Sequence, residues 1–226
     1  MTVISTDSNC ITSVVETTEA LELTLMDSSK LIYDWNVIDY EITRNPSNHP
    51  HGVWFDDETL RDGLQSPSAR NPTIAEKTEL LSYMERLGIQ KVDLGLPGAG
   101  PFHREHINAM LSHIIDNEYE IRPGAAVRTL MQDIEPLVEM QENHGIQIQA
   151  SAFLGTSPIR QYTEGWTMEK LISTMEKAVS YAVENDVPVM FVTEDTTRSN
   201  PEDVKAIYQR AMELGVRRLC VCDTCG

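Results

Sequence analysis

From Val53 onward the chain alternates short apolar runs with longer amphipathic stretches. The runs Val53–Asp57, Lys91–Gly95, Ile121–Val127, Ile146–Ala152, Val187–Thr193 and Arg217–Asp223 have the length and apolar character of strands. Between them, apolar residues recur at helical spacing over Ile74–Leu87, Phe102–Asn117, Leu130–Asn143, Met168–Asn185 and Pro201–Leu214. Local signals bound these stretches. Thr73 precedes the first helix with Glu76 three residues on, the pattern of a capping box, and Gly88 follows its end. Thr167 can cap the fourth, and the fifth opens at Ser199-Asn200-Pro201 and stops at Gly215. Strands that alternate with helices must be joined by crossovers, which predicts a parallel sheet and an α/β fold. Six strands and five helices suffice for a doubly wound sheet, whereas an eightfold barrel needs two more units.

Residues 1–52 follow a different pattern. They are rich in Thr, Ser, Asn and Asp, end in NPSNHPHG, and hold short apolar stretches at Leu21–Leu25 and Lys30–Tyr40 without a sustained period. They read as a polar extension to a catalytic domain over residues 53–226.

Composition narrows the function. With 35 acidic and 18 basic side chains the net charge is −17, which argues against nucleic acid and acidic membrane surfaces as partners, because both need a basic face. Four cysteines suit a reducing compartment. No apolar run is long enough to span a bilayer, and the N-terminus MTVISTDSNC has neither a signal peptide's nor a transit peptide's make-up, so a soluble cytoplasmic protein is expected.

The densest chemistry is Phe55-Asp56-Asp57-Glu58-Thr59-Leu60-Arg61-Asp62-Gly63-Leu64-Gln65, at the end of the first expected strand. An Arg beside an Asp is commonly a surface ion pair of little consequence. At the C-terminal end of a parallel strand, however, a carboxylate can hold a hard cation and a guanidinium can bind an anionic oxygen. Other features have plainer readings. Gly95-Leu96-Pro97-Gly98-Ala99-Gly100 reads as a tight loop rather than a phosphate cradle, since Pro97 and Pro101 remove donors. His103 and His106 read as solvated first-turn residues. Cys220, Cys222 and Cys225 lack a second pair at zinc spacing, so Cys220 and Cys222 read as packed thiols on one strand face. Trp35, Trp54 and Trp166 read as packing residues.

DETLRDGLQ resembles the first-strand signature of the 2-isopropylmalate synthase and homocitrate synthase family, metal-dependent (β/α)8 TIM-barrel enzymes. Three further segments agree in order and spacing: Thr156-Ser157-Pro158-Ile159 after the fourth strand, Glu194-Asp195-Thr196-Thr197-Arg198 after the fifth, and Asp223-Thr224-Cys225-Gly226 after the sixth. The resemblance implies an incomplete TIM barrel, truncated after its sixth strand, and an acyltransferase that condenses acetyl-CoA with a 2-oxo acid, as in leucine biosynthesis. Asp62 would ligate a divalent metal, Mg or Mn by preference for oxygen donors. Arg61 would stabilise charge on oxygen, Glu194 would orient the metal-bound groups, Thr224 would donate to the oxo-acid carboxylate, and Gln65 would hold the first loop. Family members are typically homodimers.

The pattern is not matched throughout. RDGLQ, with Leu64, is also similar to hydroxymethylglutaryl-CoA lyases, which run a related cleavage. Glu194-Asp195 with Arg198, and Gly95-Leu96-Pro97-Gly98, fit the synthases better. Ser151 stands where leucine-pathway synthases carry a substrate-contacting His, and Asp93 where a Glu is more usual. The family's metal-binding His-x-His pair has no counterpart: the six histidines are His49, His51, His103, His106, His113 and His144. His49 and His51 have the spacing but precede the first strand. An alternative is therefore that the chain is a truncated, non-catalytic fragment or binding subunit.

Overall fold

The computed structural model describes residues 54–67 and 69–225; the extension over residues 1–52, with His49 and His51, lies outside them. Six strands, β1 (Asp56–Asp57), β2 (Lys91–Asp93), β3 (Arg122–Arg128), β4 (Gln149–Gly155), β5 (Val189–Glu194) and β6 (Arg218–Val221), form one sheet. The helices are α1 (Ile74–Leu87), α2 (Pro101–Asp116), α3 (Met131–His144), α4 (Pro158–Glu164), α5 (Met168–Glu184) and α6 (Pro201–Glu213). Every neighbouring pair of strands is parallel, and their order in space is their order in sequence. That order decides between the two α/β architectures, because a doubly wound sheet reverses direction at a switch point and this one never does. The fold is an incomplete (β/α)8 barrel.

Local chemistry sets the element ends. The Thr73 hydroxyl accepts from the Glu76 N–H at 3.3 Å while the Glu76 carboxylate accepts from the Thr73 N–H at 2.9 Å, the reciprocal capping box, and Gly88 closes α1 in the left-handed region at φ 73°. Gly145 and Gly165 do the same after α3 and α4. Helix α4 is the element the periodicity does not reveal: seven residues are too few to display a 3.6-residue period, and sequence alone assigns its start to a loop. Strand β1 is shorter than expected and β4 lies three residues further on. Apolar runs mark burial, whereas strand ends are set by the ladder with the neighbour.

The strands alternate strictly between two environments. Ala125 and Val127 of β3, Ala150, Ala152 and Leu154 of β4, and Val189 and Phe191 of β5 pack under the helices with Leu81, Ile107, Met110, Leu111, Ile134, Leu137, Leu171, Met175 and Ile207. The intervening residues, among them Asp93, Ala126, Ser151, Phe153, Met190, Val192, Glu194 and Cys220, face a common cavity on the other side. Because one cavity touches the inner faces of β2 to β6 and the loop after β1, the sheet curls around it. Its floor is polar: Lys91 Nζ pairs with Asp56 at 2.5 Å, and Arg218 donates to Gln149. Among the described residues β1 and β6 each have a strand neighbour on one side only.

The loop after β2 is the tight turn expected. Pro97–Ala99 forms one 3-10 turn against α3, where the fully buried Asp133 carboxylate accepts from Arg128 N–H at 3.0 Å, Nε at 2.8 Å and Nη2 at 2.7 Å. A Cβ on Gly98 would fall on that carboxylate. Gly98→Ala is therefore expected to destabilise the fold by about 3 kcal/mol through overpacking and a broken buried network, read as a lower urea midpoint with an unchanged m-value.

Candidate active site

The loop after β1 folds back on itself. Asp57 Oδ1 accepts the Thr59 N–H at 2.8 Å, and the Glu58 carbonyl accepts the N–H groups of Arg61 at 3.2 Å and Gly63 at 3.1 Å. This turn carries Arg61 inward among three carboxylates. Its Nε donates to Glu58 Oε2 at 2.7 Å, a second guanidinium nitrogen reaches the same oxygen, Nη1 lies 3.4 Å from Asp62, and Nε lies 3.2 Å from Asp93 Oδ2. Arg61 is 24% exposed and Asp62 65%. Asp62 stands on the rim, in the 3-10 turn Asp62–Gln65 that also presents Gln65.

Asp93 projects from β2 beneath Arg61. Its Oδ1 accepts the N–H groups of Gly95 at 2.9 Å and Ala126 at 3.3 Å. Its Oδ2 is enclosed and receives no hydrogen bond, because the nearby Arg61 Nε–H points at Glu58 instead. Burial, with the charge of Glu58 added, raises the Asp93 carboxyl to about 7 against the stabilising Gly95 N–H and Arg61. Burial likewise raises Glu58.

The opposite wall comes from β4, β5 and β6. Ser151 is buried on β4, and Glu194 ends β5, 4.0 Å from Arg160. Asp195 takes a left-handed conformation at φ 54°, which turns the chain and lets its carboxylate grip Arg198 with two bonds of 2.6 and 2.7 Å. A hydroxyl cluster then clamps β6 to β5: Thr193 Oγ1 contacts Thr196 Oγ1 at 2.6 Å and Tyr208 at 2.5 Å, Tyr208 donates to the Cys220 carbonyl at 2.8 Å, and Thr196 Oγ1 accepts the Cys222 N–H at 3.0 Å. Beyond it, Thr224 Oγ1 accepts the Asp195 N–H at 2.9 Å, which leaves its own O–H free to donate.

Arg61, Asp62, Gln65, Ser151, Glu194 and Thr224 all line a single cavity of about 530 Å³. Four segments far apart in sequence thus meet at the C-terminal ends of the strands, where barrel enzymes carry their chemistry. A model of the family described as HMGL-like matches residues 53–226. The chain belongs to the HMGL-like family.

Among curated members, the chain is 32% identical over 176 residues to the 2-isopropylmalate synthase of Lactococcus lactis subsp. cremoris, covering 77% of this chain and 33% of that protein. It is 30% identical to the (R)-citramalate synthase of Methanocaldococcus jannaschii over 75% of this chain and 33% of that one. The chain therefore spans about a third of the length of the curated relatives it matches. Among solved structures, the HMG-CoA lyase of Brucella melitensis superposes with a TM-score of 0.59 at 16% identity, covering 77% of this chain and 62% of that one, a likeness of fold.

Three features of this HMGL-like site are not marked by its motifs. Glu58 is the principal partner of Arg61, although DETLRDG reads as centred on Arg61 and Asp62. Asp93 reaches Arg61 despite its short side chain. Cys220 and Cys222 are not packed into the core but line the cavity, with sulfurs 3.7 Å apart. For Cys220 and Cys222 the signal is the period of two, since they share the strand face that continues through Glu194, Val192 and Ser151 in the ladder register. His106 is also a correction: it is 7% exposed, held under Phe102 with ring centroids 4.1 Å apart, rather than solvated. As donors for a divalent cation the described residues are one-sided. Among them no three His, Cys, Asp or Glu side chains converge closely enough to hold a metal ion.

Two titrations test this geometry. Asp93 holds its proton more tightly in the folded chain than at its ordinary value of 3.8, so folding stability falls as pH rises through about 4 to 7. Without divalent cation, Asp93→Asn is expected to stabilise the fold by on the order of 2 kcal/mol at pH 8, with the gain vanishing towards pH 4, as thermal melts across that range will read. The hydrogen bond from Cys222 pulls the Cys220 thiol down to about 7, while Cys222 is pushed up. Alkylation of Cys220, followed by mass spectrometry, should be half-maximal near pH 7, and Cys222→Ala should move it above the ordinary thiol value of about 8.5, because burial and the charges of Glu58 and Asp56 then act with little opposition.

Proposed function

We propose that the chain carries an acetyl-CoA-dependent acyltransferase site of the 2-isopropylmalate synthase type. The reaction removes a proton from the acetyl methyl group, adds the resulting enolate to the ketone carbon of a 2-oxo acid, and hydrolyses the thioester to free CoA. The observation that carries this reading is the meeting of Arg61, Asp62, Glu194 and Thr224 at one cavity. Their roles follow from donor chemistry. Arg61 faces oxygen on which negative charge develops, where a fixed guanidinium acts most strongly. The Thr224 hydroxyl donates to the 2-oxo acid carboxylate, and Ser151 contacts the substrate from deeper in the same cavity. Ala126, Phe153, Met190 and Val192 give the acid's side chain an apolar wall. Glu194 orients the bound groups and Gln65 holds the first loop.

In this reading a divalent cation, Mg or Mn, binds at Asp62 with its remaining ligands from outside the described residues, and acts when bound as a Lewis acid. A second cavity of about 270 Å³ shares Phe153 and Glu194 with the first and is lined by Arg128, Arg160, Trp166 and Lys170. We assign it to the anionic arm of acetyl-CoA. The protein is read as a cytoplasmic homodimer; no helix among the described residues is long and apolar enough to cross a membrane.

The one-sided donor set supports a second reading, in which this chain binds its substrates without turning them over. The two separate in one assay. On the first reading, acetyl-CoA with Mg or Mn and 2-oxoisovalerate releases free CoA thiol, Arg61→Ala lowers kcat at least a hundredfold, about 3 kcal/mol of transition-state stabilisation, and Lys170→Ala raises KM for acetyl-CoA alone. Saturable binding of the 2-oxo acid by calorimetry, with no thiol released over a panel of oxo acids, would establish the second.

A further inference from the structure

A separate cavity of about 240 Å³ lies between the loop after β1, the turn after β2 and the first turns of α1 and α2. In a chain of net charge −17 its lining is anomalous: among the described residues it holds Arg61, Lys77, His103 and His106 but neither Asp nor Glu. Arg61 is already paired with Glu58. Lys77 is not paired: it is 4% exposed, and burial alone acts on its ammonium, with no opposing charge or hydrogen bond. His106 is 7% exposed, and its Nδ1 is enclosed without a hydrogen-bond partner. Burial, with the charges of Lys77 and His103 added, holds its ring below the usual imidazole range against the opposing carboxylate of Glu105, which does not line the cavity. A buried cation beside histidines, with no carboxylate among the described residues that line the cavity, is a costly arrangement that an anion would relieve.

The rest of the wall identifies which anion. Leu60, Leu64, Leu94 and Leu96 line the same space. Inorganic phosphate would leave that apolar surface uncovered, whereas a carboxylate with a short aliphatic tail satisfies both halves. The volume equals about eight waters, enough for six to eight non-hydrogen atoms. We propose that this cavity is a binding site for a small branched aliphatic carboxylate, whose carboxylate pairs with Lys77 and the His103–His106 pair and whose tail lies against the four leucines. The ligand would join α1 and α2 to the loop that carries Arg61 and Gln65, which line this cavity as well as the larger one. The site shares Arg61 and Gln65 with the cavity of the condensation proposed above, but uses neither Asp62, Glu194 nor Thr224.

The test titrates the full chain, free of divalent cation and without acetyl-CoA, with isovalerate, formate and phosphate. Thermal shift gives affinity, and the imidazole NMR signals of His103 and His106 give location. Isovalerate should saturate at about 1 mM, an affinity reasonable for so small a ligand, should move both imidazole signals, and should bind at least tenfold more tightly than formate or phosphate. Lys77→Met keeps the apolar stem and removes the unpaired charge, so it should fold at least as well and lose at least tenfold in affinity. Leu96→Trp, which fills the cavity, should abolish binding and serves if the first variant does not fold. Absence of saturation, phosphate binding as tightly as isovalerate, unmoved histidine signals, or unchanged affinity in either folded variant would overturn the proposal.

Discussion

The constraint on which everything else depends is the two-sidedness of a parallel strand. A strand joined to the next by a helix must bury one face under that helix, and its side-chain period of two then commits the other face to a different environment. Here the outer face is a run of Ala, Val, Leu and Phe, and the inner face holds Asp93, Ser151, Glu194, Cys220 and Cys222. Sequential strand order converts that inner face into a cavity, because a sheet that never reverses direction can accept helices on one side only and must curl away from them. The polar inner residues need no separate explanation for being near one another.

Within the cavity the electrostatics are set by an excess of acid over base. Glu58, Asp62 and Asp93 surround one guanidinium, and Arg61 cannot satisfy all three with hydrogen bonds. It bonds fully to Glu58, lies loosely beside Asp62, and leaves an oxygen of Asp93 enclosed and unbonded. The outcome is a carboxyl that titrates near neutrality directly beneath the residue proposed to meet substrate oxygen. The wall formed by β5 and β6 works differently. There, neutral hydroxyls of Thr193, Thr196 and Tyr208 hold the strand ends, and the Asp195–Arg198 ion pair fixes the turn to which Thr224 is bonded.

Relatives of about three times the aligned length frame these features. The matched region is the part that brings the Arg, Asp, Glu and Thr motifs together, and it does so with a sheet that has a single neighbour at β1 and at β6 among the described residues.

Most of the architecture is legible in the sequence. Among the described residues, the alternation of apolar runs and amphipathic stretches, with Thr73, Glu76 and Gly88 as punctuation, determines five of the six helices and all six strands, because each signal is local and the physics of capping and burial acts over a few residues. The motifs name Arg61, Asp62, Glu194 and Thr224, which the fold brings to one cavity. Helix α4 is too short to have a period, and the choice between an open sheet and a barrel depends on strand order, which no local signal encodes. Tertiary structure alone decided that Glu58 rather than Asp62 is the main partner of Arg61, that Cys220 and Cys222 face the cavity, and that Lys77 and His106 are buried at one cavity whose described lining holds no acid. Each of those facts concerns the distance between side chains on separate elements, and such distances exist only once the strands have taken their order and the helices have closed over them.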